Sequence, residues 1–235
     1  MAASTVGQLL GPGSSCTATV VASDSGRVAV TAAHCVYIPR RHDRFAGGFR
    51  GRPPGWITDL AFYPGRAGKE APYGKWNVDH MWIDQRWQDS GDPHFDVAFL
   101  RLADLDGRTA EHTLGAQGIA FATTRISSSS VTMLGYPVEP PFDGTTLRRC
   151  TGSAVDTPGS TSSDALGMEC RMTAGSSGGP WLIAFAPERG SGTVIAATSY
   201  QGLDGRRTYG IPLGTSARHL YETADHTTTD PAAHV

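Results

Sequence analysis

Apolar and polar residues alternate over short distances along most of this 235-residue chain, and turn-forming residues interrupt nearly every run. Cys16–Val21 and Arg27–Thr31 flank Ser23-Asp24-Ser25-Gly26, the pattern of two strands joined by a hairpin turn. Further strand-like runs lie at Trp56–Phe62, His80–Ile83, Val97–Leu102, Ser130–Leu134, Leu147–Val155, Leu166–Met172, Trp181–Phe185, Thr193–Tyr200 and Thr208–Ile211. Glycine, proline, aspartate or serine separates almost all of them. Sustained helical spacing occurs once, over Leu213–Glu222, where Leu213, Ala217, Leu220 and Tyr221 share a face. The pattern predicts an all-β sandwich or barrel fold ending in a short helix.

Patterning weakens between Ala103 and Ser130. This divides the chain into a first half (1–105), a connection (106–128) and a second half (129–223), with a polar, threonine-rich tail (224–235) expected to fray.

Composition narrows the class. Charged residues make up 18%, below the roughly 25% of ordinary soluble domains, and the 29 glycines and 15 prolines indicate many turns without reaching low complexity. A net charge of −2 supplies no field for nucleic acid or an anionic membrane, and no apolar run approaches the ~20 residues of a span. Neither partner is expected. Met1–Gly13 lack the basic and apolar regions of a signal peptide, so the chain either has lost its signal or stays inside the cell.

The four cysteines bear on that choice. Cys16 and Cys35 are near neighbours in sequence, as are Cys150 and Cys170, and no C-x-x-C spacing suggests zinc or redox chemistry. Local pairs of this kind read as Cys16–Cys35 and Cys150–Cys170 bridges, and hence as an oxidising compartment. Four cysteines allow three connectivities, and four buried thiols are the alternative.

Three segments carry chemistry: Thr31-Ala32-Ala33-His34-Cys35 after an apolar strand, Phe95-Asp96 before another, and Gly175-Ser176-Ser177-Gly178-Gly179-Pro180. In order they supply a base, an acid and a nucleophile. A serine hydroxyl needs a base within hydrogen-bond reach, histidine can take its proton near neutral pH, and a buried carboxylate fixes the imidazole tautomer.

On these motifs the chain resembles the trypsin-like (chymotrypsin-fold) serine proteases, closest to the bacterial branch of V8-like and glutamyl endopeptidases, over roughly Val6 to Leu220. The resemblance implies two six-stranded antiparallel Greek-key barrels packed together. It also implies a serine endopeptidase with His34 as base, Asp96 as orienter and Ser177 as nucleophile, working through an acyl-enzyme. The backbone N–H groups of Gly175 and Ser177 would form the oxyanion hole. Cys16 and Cys35 fit the family's bridge beside the histidine, and Gly135-Tyr136-Pro137 resembles the start of the second barrel. Thr198-Ser199-Tyr200 resembles the strand edging the substrate cleft, with Ser199 matching a serine that supports the aspartate.

Two positions depart from the trypsin pattern. Ser176 replaces the aspartate that pairs with a new amino terminus, so activation by terminus insertion is not expected. Arg171 stands where the S1 aspartate would fall, which disfavours cleavage after Arg or Lys and leaves acidic, small or apolar P1 residues open. Arg171, Thr198, Ser199 and Tyr200 are thus the expected substrate-binding residues. His80, His94 and His112 lie on separate segments and form no metal motif, so no metal and no cofactor are expected. Arg40, Arg41, Arg44, Arg50 and Arg52 read as a solvated loop. The resulting expectation is a secreted monomeric endopeptidase acting on proteins or peptides. Its rival is a catalytically silent protease-fold binding protein.

Overall fold

An isolated short strand leaves unpaired edges, and closing a sheet on itself removes them. The chain does this twice. In a computed structural model, which describes residues 4–41, 52–121, 128–156, 165–202 and 205–227, the first half contains β1 (Val6–Gly11), β2 (Ser14–Val20), β3 (Val28–Thr31), β4 (Tyr37–Ile38), β5 (Gly55–Trp56), β6 (Ala61–Pro64), β7 (Trp76–Ile83), helix α1 (Gln85–Ser90) and β8 (Ala98–Leu102). Six of these close in the order β1-β2-β3-β8-β7-β6, while among the described residues β4 and β5 pair only with each other. Helix α2 (Ala110–Leu114) and β9 (Gly118–Ile119) lead to β10 (Ser128–Gly135), β11 (Arg148–Asp156), β12 (Leu166–Glu169), β13 (Pro180–Ala186), β14 (Ser191–Gln201), β15 (Arg207–Pro212) and helix α3 (Thr215–His226). The second barrel runs β10-β11-β12-β15-β14-β13 and is shut by β13 against β10, with β9 added in parallel to β14.

Each barrel is filled by its own inward residues. Leu9, Phe62, Trp76, Trp87 and Leu100 pack the first, and Val131, Met133, Met168, Trp181 and Ile195 the second. A third apolar layer joins them: Val6, Val30 and Phe99 meet Leu134, Leu182, Val194 and Ile211, with Ala217 and Ala224 of α3. Burying this layer fixes the two barrels relative to each other.

The all-β class, the two barrels and the terminal helix agree with the sequence reading, and several boundaries differ. The run expected over Trp56–Phe62 is split into β5 and β6, because the backbone reverses at Asp59 (φ 56°). The short helices α1 and α2 escape a periodicity reading because neither completes two turns, although each begins on a capping side chain. Asp84 accepts from Arg86 N, and Thr109 from His112 N. Helix α3 continues to His226, past the boundary expected at 223, because the buried Asp225 carboxylate accepts from the amides of Asp24 (3.0 Å) and Ser25 (2.8 Å). The rest of the expected tail, from Thr228, lies outside the described residues.

Candidate active site

Two adjacent strand ends of the first barrel place His34 and Asp96, the candidate base and acid. β3 ends at Thr31 and pairs with Ala98 at the start of β8, so the chain beyond β3 and the chain before β8 meet. After β3 a single 3-10 turn, Ala33–Cys35, buries Ala33 and Cys35 and leaves the His34 side chain 16% exposed. The Cys16–Cys35 disulfide ties this turn back to β2. Before β8 a second 3-10 turn, Pro93–Phe95, is capped by Asp92 and delivers Asp96, which is fully buried.

The Asp96 carboxylate holds His34 at two points. Oδ1 accepts the His34 backbone N–H at 2.9 Å, and Oδ2 lies 2.8 Å from Nδ1. Ser199 Oγ donates to Oδ2 as well. Three donors around one dry carboxylate compensate its lost hydration. With Nδ1 engaged, the basic nitrogen of the neutral ring is Nε2.

Ser199 reaches Asp96 through a β-bulge. Thr198 pairs with Gly210 and Tyr200 with Tyr209, so Ser199 is the extra residue, and a bulge of this kind re-aims a side chain. Ser199 thus contacts Asp96 as the resemblance implied, and the side chains of Thr198 and Ser199 turn inward. Both are buried: Thr198 Oγ1 donates to Gly179 O (3.0 Å) and accepts from Trp181 Nε1 (3.0 Å), while Ser199 serves Asp96. Tyr200 is partly exposed and stacks on Tyr209 with ring centroids 4.8 Å apart.

The second barrel contributes a main-chain structure, the 175–179 loop before β13. Gly175 (φ +91°) and Gly178 (φ +79°) adopt backbone conformations that suit glycine, and neither has room for a side chain. A Cβ on Gly175 would lie 2.5 Å from Tyr136 O, and one on Gly178 only 2.1 Å from Thr31 Oγ1 and 2.4 Å from Thr17 O. The loop is therefore pressed against β2 and the end of β3, beside the His34 turn. Thr17 N–H donates to Ser177 O at 2.8 Å across this contact.

Peptide planarity then aims two amides. Ala174 O accepts from Val138 N at 2.7 Å, and Ser176 O accepts from Gly179 N at 2.9 Å. In a trans peptide the N–H points opposite to its C=O, so the N–H groups of Gly175 and Ser177 are turned away from these anchors. The neighbouring amides are engaged internally: Ser176 N to Thr173 O (3.2 Å) and Gly178 N to Thr198 O (2.7 Å). Ser176 Oγ also donates to Thr173 O, at 2.6 Å, so the residue that replaces trypsin's aspartate is buried in local bonds. Ser177 is partly exposed. The loop can present a hydroxyl and two amide donors close together beside the His34 turn.

Arg171 is exposed, between Cys170 and the 175–179 loop, and exposed Arg206 and Arg207 come near through the bond from Cys170 N to Arg206 O (3.0 Å). Both disulfides pair as the sequence reading had them, Cys16–Cys35 and Cys150–Cys170. Of the arginine group, Arg40 is exposed beside Asp89 at 3.3 Å, and Arg44 and Arg50 lie outside the described residues. Sequence reasoning missed Thr17, Thr31, Tyr136 and Val138, which brace the glycine loop. The signal available for Thr17 was a threonine beside Cys16 on a strand leading to the base, which does not by itself separate a brace from a packed side chain. Burial pushes the Tyr136 phenol above its ordinary pKa against the lowering pull of Arg66, so it stays a donor and bonds Arg66 O at 3.1 Å.

Among relatives of known identity, the glutamyl endopeptidase of Bacillus licheniformis is 29% identical over 111 residues, which is 47% of this chain and only 30% of that protein's length. Among solved structures, the protease Anisep from Arthrobacter nicotinovorans superimposes with TM-score 0.83 at 28% identity, covering 96% of this chain and 97% of that one. A thermostable serine protease, AL20, from an extremophilic microorganism gives TM-score 0.81 at 28% identity, covering 96% and 99%. The trypsin-like peptidase domain matches residues 16–184, from the cysteine that anchors the histidine turn to the strand after the glycine loop, and the chain belongs to that family.

Proposed function

We propose that the protein is a serine endopeptidase in which Ser177, His34 and Asp96 form the catalytic triad. The observation that carries this reading is the fully buried Asp96 carboxylate, hydrogen-bonded to Nδ1 and the backbone of His34. A binding surface has no need of a dry carboxylate that fixes an imidazole tautomer, whereas general-base catalysis has.

Ser177 Oγ attacks the carbonyl carbon of the scissile peptide as its proton passes to His34 Nε2. The oxyanion is received by the amides of Gly175 and Ser177. The intermediate collapses with rupture of the C–N bond, and His34 returns the proton to the departing amine. Water, deprotonated by the same nitrogen, then opens the acyl-enzyme and restores the serine. Substrates are proteins or peptides, and the two disulfides fit a secreted enzyme. Arg171 in place of an S1 aspartate makes Arg and Lys poor P1 residues, which a peptide-library cleavage profile tests directly.

Turnover by purified Ser177→Ala and Ser176→Ala tests the assignment. Loss of a triad member lowers kcat by about 10⁴–10⁶-fold, with a residue of rate from the remaining donors and binding. Ser176→Ala is expected to cost far less. The reverse ranking would assign the wrong serine, and absence of turnover in the parent protein would favour a binding protein.

A further inference from the structure

The glycine loop holds its shape without the ion pair that an aspartate at 176 would supply. The Ala174–Gly175 and Ser176–Ser177 peptides are each anchored by their own carbonyl, from Val138 N and Gly179 N. Between them lies the Gly175–Ser176 peptide, and its carbonyl is held from the other barrel: Thr17 Oγ1 donates to Gly175 O at 2.9 Å. The same hydroxyl accepts from Tyr136 N at 3.0 Å, so it relays one amide to one carbonyl. Thr17 is completely buried, and its own carbonyl accepts from Thr31 Oγ1 at 2.8 Å. Its backbone N–H holds Ser177 O. One residue of β2 thus grips the loop at Gly175 and at Ser177, on both sides of the Ser177 amide.

From this geometry we propose that the Thr17 side chain is a positioning residue for the oxyanion-binding amides, acting in place of the missing ion pair. The proposal rests on the function set out above. Backbone contact from this position to Ser177 requires no side chain, so the hydroxyl is an added element. Rotation of the Gly175–Ser176 peptide would leave the Thr17 hydroxyl proton without its acceptor and Gly175 O without its donor, both in a dry site where such losses are costly. A rigid middle peptide keeps the two flanking amides convergent before substrate arrives, as transition-state stabilisation by fixed dipoles requires.

Thr17→Val keeps the shape and removes the hydroxyl, and Thr17→Ser keeps the hydroxyl. For each, kcat and KM are measured on one peptide substrate well below the melting temperature. Inhibition is compared for a peptide aldehyde, which forms an oxyanion on Ser177, and for the matching product peptide, which does not. Misaiming without loss of a donor is expected to cost less than the 10²–10³-fold of removing one outright, about 10–100-fold in kcat. Thr17→Val should lower kcat with KM little changed and weaken the aldehyde by a similar factor, leaving the product peptide unaffected. Thr17→Ser should restore both. If Thr17→Val does not fold, Thr17→Ala carries the same comparison. A variant that melts earlier yet keeps the parental ratio of aldehyde to product affinity would overturn the proposal and leave the triad standing. A parent protein that neither turns over nor binds the aldehyde would overturn both.

Discussion

The two barrels build their shares of the site from different materials. The first supplies side chains: His34 and Asp96, placed by the ends of β3 and β8 and locked by hydrogen bonds to a buried carboxylate. The second supplies, apart from the Ser177 hydroxyl and the Ser199 hydroxyl that supports Asp96, a backbone shape whose amides are aimed by anchoring the carbonyls behind them. Short turns set at paired strand ends take their position from the barrel core. A glycine loop has no such core of its own and must borrow rigidity from neighbours, here Thr17, Tyr136 and Val138. The acid–base half is therefore expected to fail by changes of charge, and the nucleophile half by changes of shape.

The largest effect that separates the halves is expected from Asp96→Asn. It keeps the volume and removes the anion, so His34 is offered a partner that stabilises the wrong tautomer. By analogy with the general behaviour of such triads, kcat should fall about 10⁴-fold while the fold persists. Steady-state kinetics alongside a thermal melt checks this. A loss below tenfold would mean that the carboxylate does not govern the imidazole.

Comparison of the disulfides sharpens the contrast. Cys16–Cys35 and Cys150–Cys170 span 19 and 20 residues, so the chain-entropy model gives each about 3 kcal/mol. Replacing either pair by serine should lower the melting temperature by similar amounts. Activity should fall further without Cys16–Cys35, because that bridge alone anchors the turn bearing His34. Equal losses of activity per degree of melting would argue that the bridge serves stability only.

How far the sequence could be read follows the same division. The residues proposed as base, acid and nucleophile stand in short motifs whose residue types suggest that chemistry, and alternation with frequent turns was enough for two all-β halves. The braces were not legible. Thr17 Oγ1 meets Gly175 O across 158 positions, a contact that no local pattern encodes, whereas the contact of Ser199 with Asp96, 103 positions away, was implied by the family resemblance alone. The continuation of α3 past 223 likewise depends on a partner far away in sequence, the turn at Asp24 and Ser25.

The smallest expected effect lies outside both halves, where α3 of the second half is tied to the first barrel. Asp84 caps α1 and accepts from Ser216 Oγ at the start of α3. Burial alone would raise its pKa. Hydrogen bonds from the Arg86 side chain, Ser216 and the Arg86 backbone outweigh it and hold the carboxyl at about 2. The folded value lies below the ordinary ~3.9 of an unfolded aspartate, so its stabilising contribution is full above about pH 4 and is lost as pH falls through about 2. Losing a helix cap costs about 1 kcal/mol. For a chain of this size that is a drop of roughly 2–4 °C for Asp84→Ala at pH 7. The difference between parent and variant should shrink as pH falls toward 2 and vanish below it, and one that persisted unchanged there would contradict the role of the ionised carboxylate.

The claim on which the rest depends is that one serine, Ser177, is activated by the His34–Asp96 pair. Treatment of the folded protein with a fluorophosphonate, followed by mass mapping of the modified peptide, reads this directly. The account predicts a single adduct on Ser177, formed in the parent and abolished in Asp96→Asn on the same timescale. An adduct on Ser176, or none on the folded parent, would contradict it.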